Sequence, residues 1–135
     1  MTTSPERKRM FSKKVLVVSG DGGEARRTYG RLLAAHHLVF AADPLETLAR
    51  LSEHRDVEVI LLDLGASPRH GVDVLHRLDG HPVAARLPVV VAGADDSLLH
   101  SVRTARSGRA TAYVTKPFRG DALVRALHEA AEARP

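Results

Sequence analysis

Five short apolar runs, at 14–19, 38–42, 57–63, 88–93 and 111–115, alternate with stretches long enough to be helices. No other property of the chain restricts its fold so tightly. The third run, Val57-Glu58-Val59-Ile60-Leu61-Leu62, has one polar residue and no alternation, the mark of a strand covered on both faces. The intervening stretches, 24–36, 44–53, 71–79, 95–107 and 119–133, space their apolar residues as helices do. Leu45, Leu48, Ala49 and Leu51 are expected to mark one buried helix face, and Leu123, Val124, Leu127 and Ala131 another. Pro44 after Asp43 signals a helix start, while Gly80 and Gly108 signal helix ends. Strands joined by helix-length crossovers predict a parallel, doubly wound α/β sheet, and 135 residues predict one domain with a real core.

In such a sheet, chemistry gathers at the carboxyl ends of the strands. The third run ends there in a carboxylate, Asp63, and a Lys116-Pro117-Phe118 tripeptide after the fifth run supplies a cation for the same edge. The first run ends in Ser19-Gly20-Asp21, which offers one acid at most, and that acid only after the strand has finished.

Composition removes several function classes. The chain has no Cys, which excludes disulfides, thiolate catalysis and Cys-ligated zinc. With three Phe, two Tyr and no Trp, it lacks the rings for a surface that stacks single-stranded nucleic acid. No stretch has the apolar length to cross a membrane, and the N-terminus lacks the apolar core of a signal peptide, so a cytoplasmic location without membrane contact is expected. Residues 1–14 hold Arg7, Lys8, Arg9, Lys13 and Lys14 against Glu6, which accounts for the whole net charge of +4. Residues 1–13 are therefore expected to form a basic, flexible tail, and 14–135 a single domain with no output domain attached. Nucleic-acid binding through that tail is the alternative from another class.

Four pieces carry a family resemblance: Lys14-Val15-Leu16-Val17-Val18; Ile60-Leu61-Leu62-Asp63-Leu64 with Gly71 eight residues beyond Asp63; Leu87-Pro88-Val89-Val90-Val91; and Tyr113-Val114-Thr115-Lys116-Pro117-Phe118. In this order and spacing, residues 14–134 resemble the CheY-like receiver domain of two-component response regulators. The resemblance implies a flavodoxin-like (βα)5 fold with strand order 2-1-3-4-5. It implies that Asp63 is the phospho-acceptor position, that Lys116 contacts the phosphoryl group, that Tyr113 is the switch aromatic, and that the Lys116–Pro117 bond is cis. It also implies a non-enzymatic signalling role. Partners would be a histidine kinase or a downstream target, met through the face of the fourth helix, fifth strand and fifth helix, with homodimerisation a further use of such faces. On that face Arg103, Arg106, Arg109 and Arg119 would suit an acidic partner.

Three departures from the receiver pattern stand beside these matches. An aspartate accepts a phosphoryl group when a divalent cation such as Mg²⁺ and a lysine neutralise the crowded negative charge, and that cation wants oxygen ligands. The acids that receivers place after the first strand align with Ser19 and Gly20, neither of which offers a carboxylate. Asp21 either reaches the metal or caps the following helix, and the residues favour the cap. After the fourth strand Gly93 stands where receivers carry Thr or Ser, so Tyr113 has lost its switching partner. After Asp63 the family's Met-Pro is replaced by Ala66-Ser67, with Pro68 one place late, although Gly65 retains a carbonyl for a metal. These changes suggest an atypical, or pseudo-, receiver that works by protein–protein interaction with phosphorylation impaired or absent. The alternative is a working phospho-acceptor in which Asp63, Asp21 and Gly65 hold Mg²⁺. The Asp63–Lys116 pair accordingly has two readings, a structural ion pair or the remnant of an acceptor site.

Other clusters are weaker. Eight histidines invite a metal, but His36-His37 are adjacent, and His70, His76 and His81 lack a third ligand at helical spacing, so solvated side chains are expected. Asp95-Asp96 read as helix caps, with Asp95 near the pocket rim. Ser19-Gly20-Asp21-Gly22-Gly23 is Gly-rich between strand and helix, yet it has neither G-x-G-x-x-G spacing nor a P-loop lysine.

Overall fold

The computed structural model of the chain describes residues 13–64, 68–82, 84–93 and 111–132. Five strands, β1 (Lys14–Ser19), β2 (His37–Ala41), β3 (Val59–Asp63), β4 (Val89–Gly93) and β5 (Thr111–Thr115), pair in parallel in the order β2-β1-β3-β4-β5. This is the doubly wound sheet and the 2-1-3-4-5 order expected. The helices are α1 (Gly22–Leu32), α2 (Pro44–Glu53), α3 (Pro68–Asp79) and α4 (Gly120–Glu132), with a 3₁₀ turn at Ala84–Arg86. The expected helix over 95–107 lies outside the described residues, as do the basic residues 1–12 and Gly108.

The period-2 geometry of the strands divides the core between two faces. Leu16, Val18, Ile60, Leu62, Val89 and Val91 point to the side closed by Leu51 of α2 and by Val74, Leu75 and Leu78 of α3. Val15, Val17, Val59, Leu61, Val90 and Ala92 point to the other side, closed by Ala25 and Tyr29 of α1 and by Leu123, Leu127 and Ala130 of α4. All twelve of these strand residues are fully buried, which is why the runs show no polar alternation.

Helix boundaries differ from expectation where caps override spacing. Asp43 Oδ1 accepts from Glu46 N at 2.7 Å, so α2 starts where Asp43-Pro44 predicts. α1 begins two residues early because Asp21 is its N-cap, and it ends at Leu32 rather than at His36. α3 starts at Pro68 rather than Gly71. The predicted buried face of α2 requires correction. Leu45 is 75% exposed and Ala49 is also exposed, while Thr47 and Leu51 are buried. The Thr47 hydroxyl is satisfied by donating to Asp43 O at 2.7 Å, which permits a polar side chain there. On α4 Leu123 and Leu127 are buried as expected, while Val124 and Ala131 are half-buried and Ala130 completes the buried stripe.

Candidate functional site

Alternation along β3 sends Asp63 to the same face as Val59 and Leu61, the face covered by α1 and α4. Ser19 continues the Val15–Val17 series onto that face and stands opposite Asp63 in the β1–β3 register. The strands therefore bring the acceptor position and the end of β1 side by side, with a serine where a second carboxylate was sought. The Ser19 hydroxyl accepts from Asp21 N at 3.3 Å, so it serves the turn into α1.

Lys116 arrives from β5. Its backbone N–H donates to Gly93 O at 2.8 Å, extending the β4–β5 pairing by one step. Its Nζ reaches Asp63 Oδ1 at 2.7 Å, in a pair whose side chains are 32% and 11% exposed respectively. The Lys116–Pro117 peptide bond is cis, as the resemblance implied. The second carboxylate oxygen is also bound: the Tyr29 hydroxyl donates to Asp63 Oδ2 at 2.6 Å. That length belongs to charge-assisted O–H···O⁻ bonds. Burial first, and the bond to Asp63 second, push Tyr29 ionisation far above its ordinary value, so the hydroxyl stays protonated and stays a donor. The Tyr29 ring is 1% exposed and lies over Phe118, with centroids 6.4 Å apart and planes 22° from parallel.

Asp21 is the N-cap of α1: its Oδ1 accepts from Glu24 N at 3.0 Å, the role the residues favoured. Gly20 is exposed, with no atom within 4 Å of where a Cβ would sit. Gly93 ends β4 opposite Thr115, and Tyr113 pairs with Val91 two steps earlier, half-buried against the α2–α3 side of the core. Gly65, Ala66, Ser67, Asp95, Asp96, Arg103, Arg106 and Arg109 lie outside the described residues. At the described strand ends Asp63 is the one carboxylate, beside Ser19, Gly93 and Thr115. That donor set does not match the several hard oxygen ligands Mg²⁺ takes.

Two features went unseen in the sequence reading. Tyr29 is one; its signal was a phenol at a core-facing helix position, where a buried O–H needs a partner. The other is His36, which was read as solvated. It is half-buried, and its Nε2 lies 3.2 Å from Nε2 of His128 on α4. Among the described residues there is no group of three or more His, Cys, Asp or Glu able to hold a metal. Between α1 and β2 a small cleft of about 130 Å³ is lined by Ser19, Gly22, Arg26, Phe40 and Glu46 among others, with the Arg26 guanidinium 4.6 Å above the Phe40 ring.

The family model of the response regulator receiver domain matches residues 15–128. The chain belongs to that family. It is 28% identical over 115 residues to the cell cycle transcriptional regulator CtrA of Caulobacter vibrioides, covering 85% of this chain and 48% of that protein. This chain thus spans about half the length of the curated relatives it matches. The chemotaxis response regulator CheY4 of Vibrio cholerae shares the fold at TM-score 0.70 and 23% identity, covering 88% of this chain and 98% of the other. The receiver domain of NtrX from Brucella abortus does so at 0.71 and 24%, with the same coverage. A sensor protein from Polaromonas sp. JS666 reaches 0.76 at 17% identity, covering 91% and 98%. The chain is a receiver domain of two-component signalling, a class that works by meeting kinases or targets. Among the described residues no helix is long and apolar enough to cross a membrane.

Proposed function

We propose that this receiver domain is atypical: a signalling module rather than an enzyme, in which Asp63 is a poor phosphoryl acceptor and output runs through protein–protein contact. One observation carries the reading. Ser19 faces Asp63 across the β1–β3 register, and both oxygens of Asp63 are already bonded, to Lys116 and to Tyr29. An acylphosphate at Asp63 would add negative charge against a single lysine, without the carboxylates that hold a cation nearby. Gly93 supplies no hydroxyl to carry a phosphorylation signal toward Tyr113.

The second reading, a working acceptor, is favoured by the intact Asp63–Lys116 contact. It requires Asp21 to leave its cap on Glu24 and turn to a metal. Incubation with Mg²⁺ and acetyl phosphate or beryllofluoride separates the two. The proposal expects no stable adduct, and an adduct abolished by Asp63→Asn would overturn it. The partner surface is the face that includes β5 and α4, where the Arg119 side chain is 88% exposed and pairs with Asp121 at 3.4 Å, a surface contact that an acidic partner can replace.

A further inference from the structure

We infer that the Tyr29 hydroxyl stands in for the divalent cation at Asp63, so that helix α1 closes the acceptor pocket from within the chain. This rests on the reading of Asp63 as an impaired acceptor and names the residue that impairs it.

Three elements converge on one carboxylate. β3 presents Asp63, the residue following β5 brings Lys116 to Oδ1, and α1 brings Tyr29 to Oδ2. The loop that delivers Lys116 also delivers Phe118, whose ring lies over the Tyr29 ring, so one segment supplies Lys116 and packs against Tyr29. Tyr29 has only two side-chain torsions and is packed on the core beside Ala25 and Leu33, so its hydroxyl cannot swing away without emptying a core site.

The charge balance explains the exchange. A cation of charge +2 beside Asp63 would need further carboxylates to hold it, and the positions at the end of β1 carry Ser19 and Gly20. A phenol satisfies Oδ2 with a neutral donor, and Lys116 neutralises the remaining charge, so both carboxylate oxygens are met with no metal. An oxygen that already accepts a short hydrogen bond is also a weaker nucleophile toward a phosphoryl donor. Tyr29 is therefore a positioning residue for Asp63, and its loss leaves Oδ2 without that donor.

The test follows the ¹³C resonance of the Asp63 carboxyl in the full chain during Mg²⁺ addition, in wild type and in Tyr29→Phe. The wild-type resonance is expected to stay still on Mg²⁺ addition, and the Tyr29→Phe resonance to be displaced from it with or without Mg²⁺. A wild-type carboxyl that responds to Mg²⁺ overturns the inference, as does a folded Tyr29→Phe chain whose Asp63 carboxyl resonates where the wild-type one does. Should Tyr29→Phe fail to fold, Asp63→Asn provides the reverse measurement. Tyrosinate absorbance should then develop at lower pH than in wild type, and an unchanged titration overturns the inference equally. Acetyl phosphate labelling is scored separately. Labelled wild type defeats the impaired-acceptor reading and, with it, the inference that rests on it, whereas an unlabelled wild type whose Asp63 carboxyl is unmoved by Tyr29→Phe defeats the Tyr29 inference alone.

Discussion

The two ends of the sheet solve the same problem with opposite chemistry. At the carboxyl end, Asp63 is held by a cation and a neutral donor, and both of these contacts are complementary. At the amino end, His36 meets His128 at 3.2 Å, and the nearby charges on Lys13, His37 and Glu58 are mostly of one sign. His36 is pushed below the ordinary imidazole value, first by burial and then by His128 and Lys13, with Glu58 opposing. Its Nδ1 is buried, and no described group bonds it. A pocket that resembles an active centre is held by complementary partners, while the far edge, whose histidine was expected to be solvated, carries a half-buried imidazole that binds its proton less readily.

Cutting the complementary end should cost most. Asp63→Ala strands a half-buried ammonium and a buried phenol together, so chemical denaturation should show a loss of about 2–3 kcal/mol. Asp63→Asn, which keeps an acceptor, should lose less. Tyr29→Phe retains the ring and removes one donor to a charged group, a loss of about 1.5–2 kcal/mol by the same method. If Tyr29→Phe matched wild type, the hydroxyl would not be part of what holds that end closed.

The amino end is sharpened by pH. Because the folded chain binds a proton at His36 less readily than the unfolded chain does, its contribution is complete above about pH 6.5 and declines as pH falls through that value. Denaturation midpoints measured across that window should fall on acidification, and His36→Gln should flatten the slope. A slope unchanged by His36→Gln would erase the contrast between the two ends. The smallest effect is expected at the Lys14–Asp56 pair, 2.8 Å apart with the Asp56 side chain 73% exposed. Although the pair holds Asp56 below the usual carboxylate range, chiefly through the hydrogen bond from Lys14, Asp56→Ala should leave the midpoint within experimental error.

Much of this was legible in the chain. Apolar runs with no polar alternation located all five strands to within two residues, because a strand buried on both faces must be apolar throughout. Asp43-Pro44 gave the start of α2, because capping depends on residues three apart. Leu45 misled: it continues a helical stripe, yet it lies on the first turn of α2, beyond the reach of the sheet's face. Asp63 and Lys116 were found as a pair because each directly ends or follows a strand of the sheet.

What local pattern could not supply was the contact from Tyr29, 34 residues before Asp63 in the chain. Periodicity shows that a residue faces the core, but not which neighbour meets it there. That depends on α1 packing on β1, which the 2-1-3 strand order sets beside β3, and on Phe118 lying against the ring. The same holds for His36 and His128, which lie 92 residues apart and are brought together by α1 and α4 sharing one face. Sequence by itself determined the strands, the family and the position of the acid, because those follow from spacing along the chain. Tertiary structure alone decided that the acid is already occupied, because a hydrogen bond between distant residues exists only once their helix and strand have packed together.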